Sequence, residues 1–124
     1  MSDGELDEGS NWESFLYAAH HNLYNLYVFI DRNMLQSIES TEQTLALEPL
    51  KSKLISFGWY VRELDGHDHE SIVTAVNVAS SVDSPKFFIC HTIKGKGVDF
   101  MENQVLWHYR SPSSESDVCN PALV

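Results

Sequence analysis

Basic residues are scarce in this chain: 8 Lys and Arg stand against 18 Asp and Glu in 124 residues, a formal net charge of −10. A surface of that sign repels phosphate backbones and anionic lipid, so neither nucleic acid nor a membrane is an expected partner. Long apolar runs are missing too, and no stretch approaches the roughly 20 residues that a transmembrane helix needs. Cysteine is limited to Cys90 and Cys119, too few for a disulfide framework. Cys90 lies inside an apolar run, where a buried reduced thiol is the expected state. The opening residues are acidic and polar, the opposite of a signal peptide. A cytoplasmic protein is the simplest inference. Internal repeats are absent, and the length allows one domain and no more.

What is present is an alternation of helical and strand periods. Trp12, Phe15, Leu16, Ala19 and Leu23 recur at helical spacing, which predicts a helix from Ser10 to Asn22. Ser10 followed by Glu13 reads as an N-cap with its capping-box partner. Leu26 to Ile30 is a short continuous apolar run, the pattern of a strand buried on both faces. A polar loop from Gln36 to Thr44 follows, then a helix over Leu45 to Phe57 that Gly58 stops. Trp59 to Leu64 reads as the next strand and Asp65-Gly66 as a turn. Asp68 caps a further helix to Ser80 with Ile72, Val73, Val76 and Ala79 on one face. Pro85 breaks the chain before a last strand, Lys86 to Thr92. This order predicts an α/β fold, three parallel strands with flanking helices and right-handed crossovers. Both edges of so small a sheet are expected to be exposed, which makes them association surfaces. The Ser- and Pro-rich tail from Ser111, above all 113–124, is expected to be disordered.

Two polar residues stand at places this topology makes important. Asp3 lies in the turn Ser2-Asp3-Gly4-Glu5, and Asn33 closes the first strand after Asp31-Arg32. One helix and one strand separate them, so both reach the same edge of a parallel sheet, where open α/β folds place ligands. A carboxylate and an amide oxygen there suit a hard cation that completes its shell with phosphate oxygens and water.

Those residues also carry a resemblance. Ser2-Asp3-Gly4-Glu5 through Asp31-Arg32-Asn33 is similar to the thiamine diphosphate motif, an Asp-Gly turn with an Asn about thirty residues later. Glu8-Gly9-Ser10-Asn11-Trp12-Glu13, Ala18-Ala19-His20-His21, Leu47-Glu48-Pro49-Leu50, Phe57-Gly58-Trp59, Asp65-Gly66-His67-Asp68 and Thr92-Ile93-Lys94-Gly95-Lys96-Gly97-Val98 narrow it to transketolase. Phe100-Met101-Glu102-Asn103 and Trp107-His108-Tyr109-Arg110-Ser111-Pro112 resemble the end of the same stretch in split N-terminal subunits. The match covers residues 2 to 112. In the family a hydrophobic strand and a helical segment precede the Asp-Gly turn. The chain therefore resembles the second half of a three-layer diphosphate-binding domain, a partial fold whose missing strand another polypeptide is expected to supply.

The resemblance implies a set of roles. Asp3, Asn33 and the backbone carbonyl of Leu35 would bind Mg²⁺ or Ca²⁺. Gly4 would let the backbone approach the diphosphate of thiamine diphosphate, with Glu5 and Lys94 beside it and His108 both contacting the cofactor and assisting proton transfer. Glu8 matches an acid in the family's carboxylate network between active sites. Simpler readings stand beside these: Asp3 and Glu5 as an acidic opening, Asn33 as a turn residue tolerant of left-handed backbone, Glu8 as a charge at the start of a helix, and Lys94 and His108 as solvated loop residues. His20 and His21 fit a helix end, where the dipole favours cations. His67 and His69 read as a structural turn, not a zinc site.

Two functions are thereby expected. The first is the cofactor-anchoring part of a transketolase-type enzyme. It would move two-carbon ketol units between sugar phosphates, within an oligomer that includes a complementary subunit carrying the pyrimidine-binding domain and the activating glutamate. The second is a truncated, inactive chain that only binds a partner. A free-standing Mg²⁺–diphosphate binder is a weaker third.

Overall fold

Alternation along one strand divides the molecule. In the run Lys86–His91, Phe87 and Ile89 face one side of the sheet while Phe88 and Cys90 face the other, and all four are buried. A strand with two apolar faces must lie in the middle of a sheet covered on both sides. The computed structural model, which describes residues 1–111, places it there. The expected disorder of the tail, and Cys119 with it, falls on residues outside that range.

The elements in chain order are α1 (Gly9–His20), β1 (Tyr27–Arg32), α2 (Thr41–Thr44), α3 (Leu50–Ser56), β2 (Tyr60–Asp65), α4 (His69–Ala79) and β3 (Lys86–His91). Short 3-10 turns at Gly4–Asp7 and Val105–His108 flank them. The strands are parallel in the order β1-β3-β2. Phe15 and Ala18 of α1 and Leu50 and Leu54 of α3 pack against Ile30, Val61, Phe87 and Ile89 on one face. Ala75 and Ala79 of α4 pack against Phe88 and Cys90 on the other. The expected α/β architecture of three parallel strands with flanking helices is what the chain adopts.

Aromatic rings fix how α1 sits. Phe15 meets Trp59 at 5.5 Å and Phe87 at 5.4 Å between ring centroids, both edge-on. Trp59 Nε1 donates to the Phe15 carbonyl at 2.9 Å, so a buried indole finds its acceptor on the helix it packs against. After α3, Gly58 adopts φ +96°. Gly58 N–H donates to Ile55 and Trp59 N–H to Leu54, the paired bonds of a Schellman stop.

Several local expectations are corrected. Helix α1 starts at Gly9 with Glu8 at its N-cap, so Ser10 is already inside the helix and no side chain caps it. The predicted helix over Leu45–Phe57 is split. Thr41–Thr44 forms a short turn of helix inside the expected loop, and α3 begins only at Leu50, just after Pro49. A proline removes a donor and restricts the residue before it, so the periodic run cannot become helical until it has passed. On α4 the inward face is Ile72, Ala75, Val76 and Ala79, whereas Val73 is 59% exposed. Strand β1 is not buried on both faces: Phe29 is 38% exposed and borders a cleft of about 570 Å³ with Ile72, Cys90 and Ile93. Helix α4 covers β2 and β3 and leaves that corner open. The outer edge of β1 is less bare than expected, because Met1 and Ser2 lie parallel to it. The Met1 amino group donates to the Phe29 carbonyl and Asp31 N–H to the Met1 carbonyl, each at 2.9 Å.

Two cations are buried in this small core. Lys86, 1% exposed, donates to the carbonyls of Val82 (2.6 Å) and Tyr24 and lies 5.1 Å from the Tyr27 ring centroid. Arg32, also 1% exposed, is the larger knot. It follows Ile30 at strand period two, so it points into the same side of the sheet. Nη1 lies 3.2 Å from Asp3 Oδ1 and donates to Thr41 Oγ1 at 2.9 Å. Nη2 donates to Glu42 at 3.0 Å and Glu48 at 2.9 Å. Burial alone would lower the Arg32 pKa, but Glu48, Asp3 and Glu42 outweigh it and hold the guanidinium charged. Burial likewise raises the Glu48 carboxyl, yet the Leu50 N–H and Arg32 bring it below its ordinary value.

Removing one partner of a buried ion pair costs about 3–5 kcal/mol because the other charge is left unpaired. Arg32→Ala is expected to destabilise the chain by that amount in urea unfolding. Lys51→Ala, which removes an exposed pair with Glu63, should cost no more than about 1 kcal/mol. Equal effects of the two would contradict a buried knot. Glu48 gives a pH signature. Its carboxyl ionises more readily in the folded chain, so its charge stabilises the fold above the ordinary carboxylate range of about 4. That contribution fades as pH falls through the lowered folded value. Glu48→Gln should therefore flatten the loss of stability in acid; an unchanged acid slope would count against the assignment.

Candidate functional site

The carboxyl ends of the strands and the turns after them form one rim. Strand β1 ends at Arg32; Asn33, Met34 and Leu35 follow it, and the chain reverses between Leu35 and its antiparallel partner Ser40. Met34 adopts φ +67°, a left-handed conformation that a non-glycine side chain takes only where its surroundings enforce it. Two bonds do so. Asp3 Oδ2 accepts the Met34 N–H at 2.7 Å, and Asn33 Oδ1 accepts the Leu35 N–H at 3.0 Å. The Met34 carbonyl in turn accepts the Thr41 N–H at 3.0 Å. Asp3 therefore ties the opening turn to the end of β1, and Asp3 and Asn33 lie at the same end of the sheet.

Above this turn is a polar cleft of about 380 Å³. Gly4, Glu5, Asn33, Leu35, Lys94 and His108 line it together with Glu8 and Ser37. Six of the seven sequence-derived site residues thus share one concavity. Asp3, at 1% exposed, does not line it but lies beneath. Lys94 reaches the cleft from the loop after β3, whose geometry depends on Gly95. That residue has φ +73°, and a Cβ there would fall 2.8 Å from Met101 Cβ. Asn103 N–H donates to the Lys94 carbonyl at 3.0 Å, closing the loop. His108 ends the 3-10 turn Val105–His108, which Trp107 anchors by donating Nε1–H to the Phe100 carbonyl at 2.8 Å. His108 Nε2 comes within 3.4 Å of Ser37 Oγ.

The charges are arranged in two layers. Ser2 N–H and Oγ–H donate to Glu5 Oε2, and the backbone bond holds the Glu5 carboxyl below its ordinary value. Beneath, burial pushes the Asp3 carboxyl above its ordinary value, with Arg32 and the Met34 N–H acting against that shift. Asp3 Oδ1 accepts no hydrogen bond although it is buried near Arg32. The Asn33 carboxamide oxygen and the Leu35 carbonyl belong to residues that border the cleft, and they are hard donors of the kind that suits Mg²⁺ or Ca²⁺. The Lys94 ammonium and the His108 imidazole can serve a diphosphate as hydrogen-bonding groups, with Glu5, Glu8 and Asp31 in the same wall. By donor chemistry the residues fit both groups.

Other residues behave differently. His20 and His21 are exposed near the end of α1 and do not line the cleft; His21 packs on Tyr17 at 4.2 Å. His67 Nε2 accepts the Ile93 N–H at 2.8 Å, and His69 opens α4. Asp68 is the N-cap expected, accepting the Ser71 N–H at 3.1 Å. Cys90 is buried and unpaired, and burial raises its thiol pKa. Among the described residues no three His, Cys, Asp or Glu side chains form a metal-binding group, so a cation here would need amide and carbonyl oxygens. Sequence reasoning missed Ser37 and Gln36 in the cleft wall, and nothing in their polar loop marked them. It missed Arg32 as well, although the period from Ile30 pointed inward.

Known proteins resemble this chain in sequence and in fold. The family described as "Transketolase, thiamine diphosphate binding domain" matches residues 1–120. An apulose-4-phosphate transketolase subunit of Phocaeicola vulgatus is 39% identical over 116 residues, 93% of this chain and 41% of that one. The 6-deoxy-6-sulfo-D-fructose transketolase subunit SqwG of a Clostridium species is 39% identical over 109 residues, covering 87% of this chain and 40% of its own length. The chain thus spans about two-fifths of the curated relatives it matches first. Among solved structures, transketolase from Campylobacter jejuni superposes with a TM-score of 0.79 at 28% identity, covering 85% of this chain and 16% of that one. Profile, relatives and fold agree, and the chain belongs to the transketolase thiamine diphosphate-binding domain family.

Proposed function

We propose that the chain anchors the diphosphate of thiamine diphosphate through a divalent cation, as part of a split transketolase-type transferase that moves ketol units between sugar phosphates. The observation that carries the reading is the shared cleft: Asn33, Leu35, Gly4, Lys94 and His108 come from four separate segments and converge in about 380 Å³. Asp3, Asn33 and the Leu35 carbonyl would hold Mg²⁺. Lys94 would neutralise diphosphate charge as a point cation. Gly4 leaves room for the backbone to approach. His108, in contact with Ser37, would hold or release a proton near the reacting group. When bound, thiamine diphosphate supplies the carbanion chemistry; the protein supplies position and charge.

A complementary subunit belongs to this reading. Two of the relatives are by name transketolase subunits, and this chain spans less than half of each. The acid that activates the cofactor ring would come from that partner. Neither Glu5, folded back on Ser2, nor Glu8, at the N-cap of α1, is placed to replace it. With a reduced buried thiol and no helix among the described residues long and apolar enough to cross a membrane, the cytoplasm is the compartment proposed.

Asn33→Ala should abolish Mg²⁺-dependent binding of thiamine diphosphate by the complex with the complementary subunit, measured by titration calorimetry. Unchanged affinity would refute the anchoring role. Asn33 is the cleaner probe, because Asp3→Ala also removes one partner of the buried Arg32 and the acceptor of the Met34 N–H. The purified chain by itself is expected to give no ketol transfer at any cofactor concentration, and measurable turnover would overturn the need for a partner.

A further inference from the structure

We infer that His67 is a positioning residue for Lys94, acting as the last rung of the β2–β3 ladder. Tyr60 N–H donates to the Pro85 carbonyl where the two strands begin to pair, and Gly66 N–H donates to the His91 carbonyl at 2.8 Å where they end. In a regular parallel ladder the next donor on this side of β3 is the Ile93 N–H, and its acceptor would be the Gly66 carbonyl. The chain has turned away at Gly66 to enter α4. The His67 imidazole takes the carbonyl's place, and Nε2 accepts the Ile93 N–H at 2.8 Å.

The turn that carries His67 is itself locked. His67 N–H donates to Asp65 Oδ1 at 2.8 Å, and Asp68 N–H to the Asp65 carbonyl at 3.2 Å. Gly66 lies so close to β3 that a Cβ would fall 2.5 Å from Thr92 Cγ2 and 3.0 Å from Cys90 Cβ. On the opposite side, Thr92 N–H donates to the Arg32 carbonyl at 3.2 Å. Residues 92 and 93 are therefore clamped between the ends of β1 and β2, one peptide before Lys94 enters the cleft. An imidazole that accepts at Nε2 must carry its proton at Nδ1, so the clamp requires the neutral Nδ1–H tautomer. This role rests on the proposed use of Lys94 toward a diphosphate.

The test is a substitution series in the full chain, with its complementary subunit present for binding. Gln at position 67 can place an oxygen near the site of Nε2; Asn places it near Nδ1, too short to reach Ile93. His67→Asn is expected to weaken Mg²⁺–thiamine diphosphate binding about tenfold, the scale of one hydrogen bond, and His67→Gln to restore it to within about twofold. In a Lys94→Ala background the His67→Asn loss should vanish, since groups that act through one another are not additive. A purely structural histidine would give the same loss in both backgrounds, and that result would overturn the proposal. Nitrogen-15 spectra of the chain without cofactor should show His67 protonated at Nδ1 alone; protonation at Nε2 would overturn it as well. If Lys94→Ala binds as the wild type does, the diphosphate reading fails. If Lys94→Ala is impaired and His67→Asn is not, only the clamp fails.

Discussion

One buried guanidinium joins the parts of this protein that must stay together for any site to exist. Arg32 ends β1 and gathers Asp3 from the opening turn, Thr41 and Glu42 from α2 and Glu48 from the approach to α3. Its partners are distant in sequence but close around a single planar group. A flexible ammonium could not present several donors in fixed directions at once. Since a buried charge is costly unless it is paired, the guanidinium makes the opening turn, the end of β1 and the segment before α3 mutually dependent. Glu48 extends the dependence by accepting the Leu50 N–H at 2.9 Å, at the start of α3.

The cleft is built on that knot. Asp3 has two jobs in the structure, one oxygen near Arg32 and the other on the Met34 N–H. The second bond holds Met34 in its left-handed conformation and so aims Asn33 and Leu35 at the cleft. From the opposite side, the clamp on Thr92 and Ile93 aims the loop that carries Lys94. Groups that follow the edge strand β1 and the central strand β3 are thus brought to one point by backbone bonds at the ends of strands, which is how a parallel sheet positions ligands at its carboxyl edge.

Much of this was legible in the sequence because it depends on period and spacing. The strand at Lys86–His91, the Gly58 stop and the Asp68 cap follow from patterns that one chain displays, whereas placing Lys94 and His108 at the Asn33 site was implied by the family resemblance. What stayed hidden depends on tertiary choices. Ser10 looked like a cap, but the 3-10 turn at Gly4–Asp7 brings the chain in early and the helix starts at Gly9. Leu26 to Ile30 looked buried on both faces, yet α4 covers only two of the three strands, and no local pattern specifies which. Lys86 opens β3 and is held by two carbonyls beside a tyrosine ring, a burial that no local pattern displays. The burial of Asp3 against Arg32 was hidden too, because so distant a partner cannot be inferred from the turn itself.

The central claim is that the rim beyond β1 and β3 receives a cation and a diphosphate. A crystal structure of the chain with its complementary subunit, Mg²⁺ and thiamine diphosphate tests it most directly. The cation is expected about 2.0–2.1 Å from Asn33 Oδ1 and the Leu35 carbonyl, with the diphosphate within reach of Lys94 and His108. A diphosphate lodged instead beside Phe29, Ile72 and Cys90, with Asn33 unliganded, would contradict it.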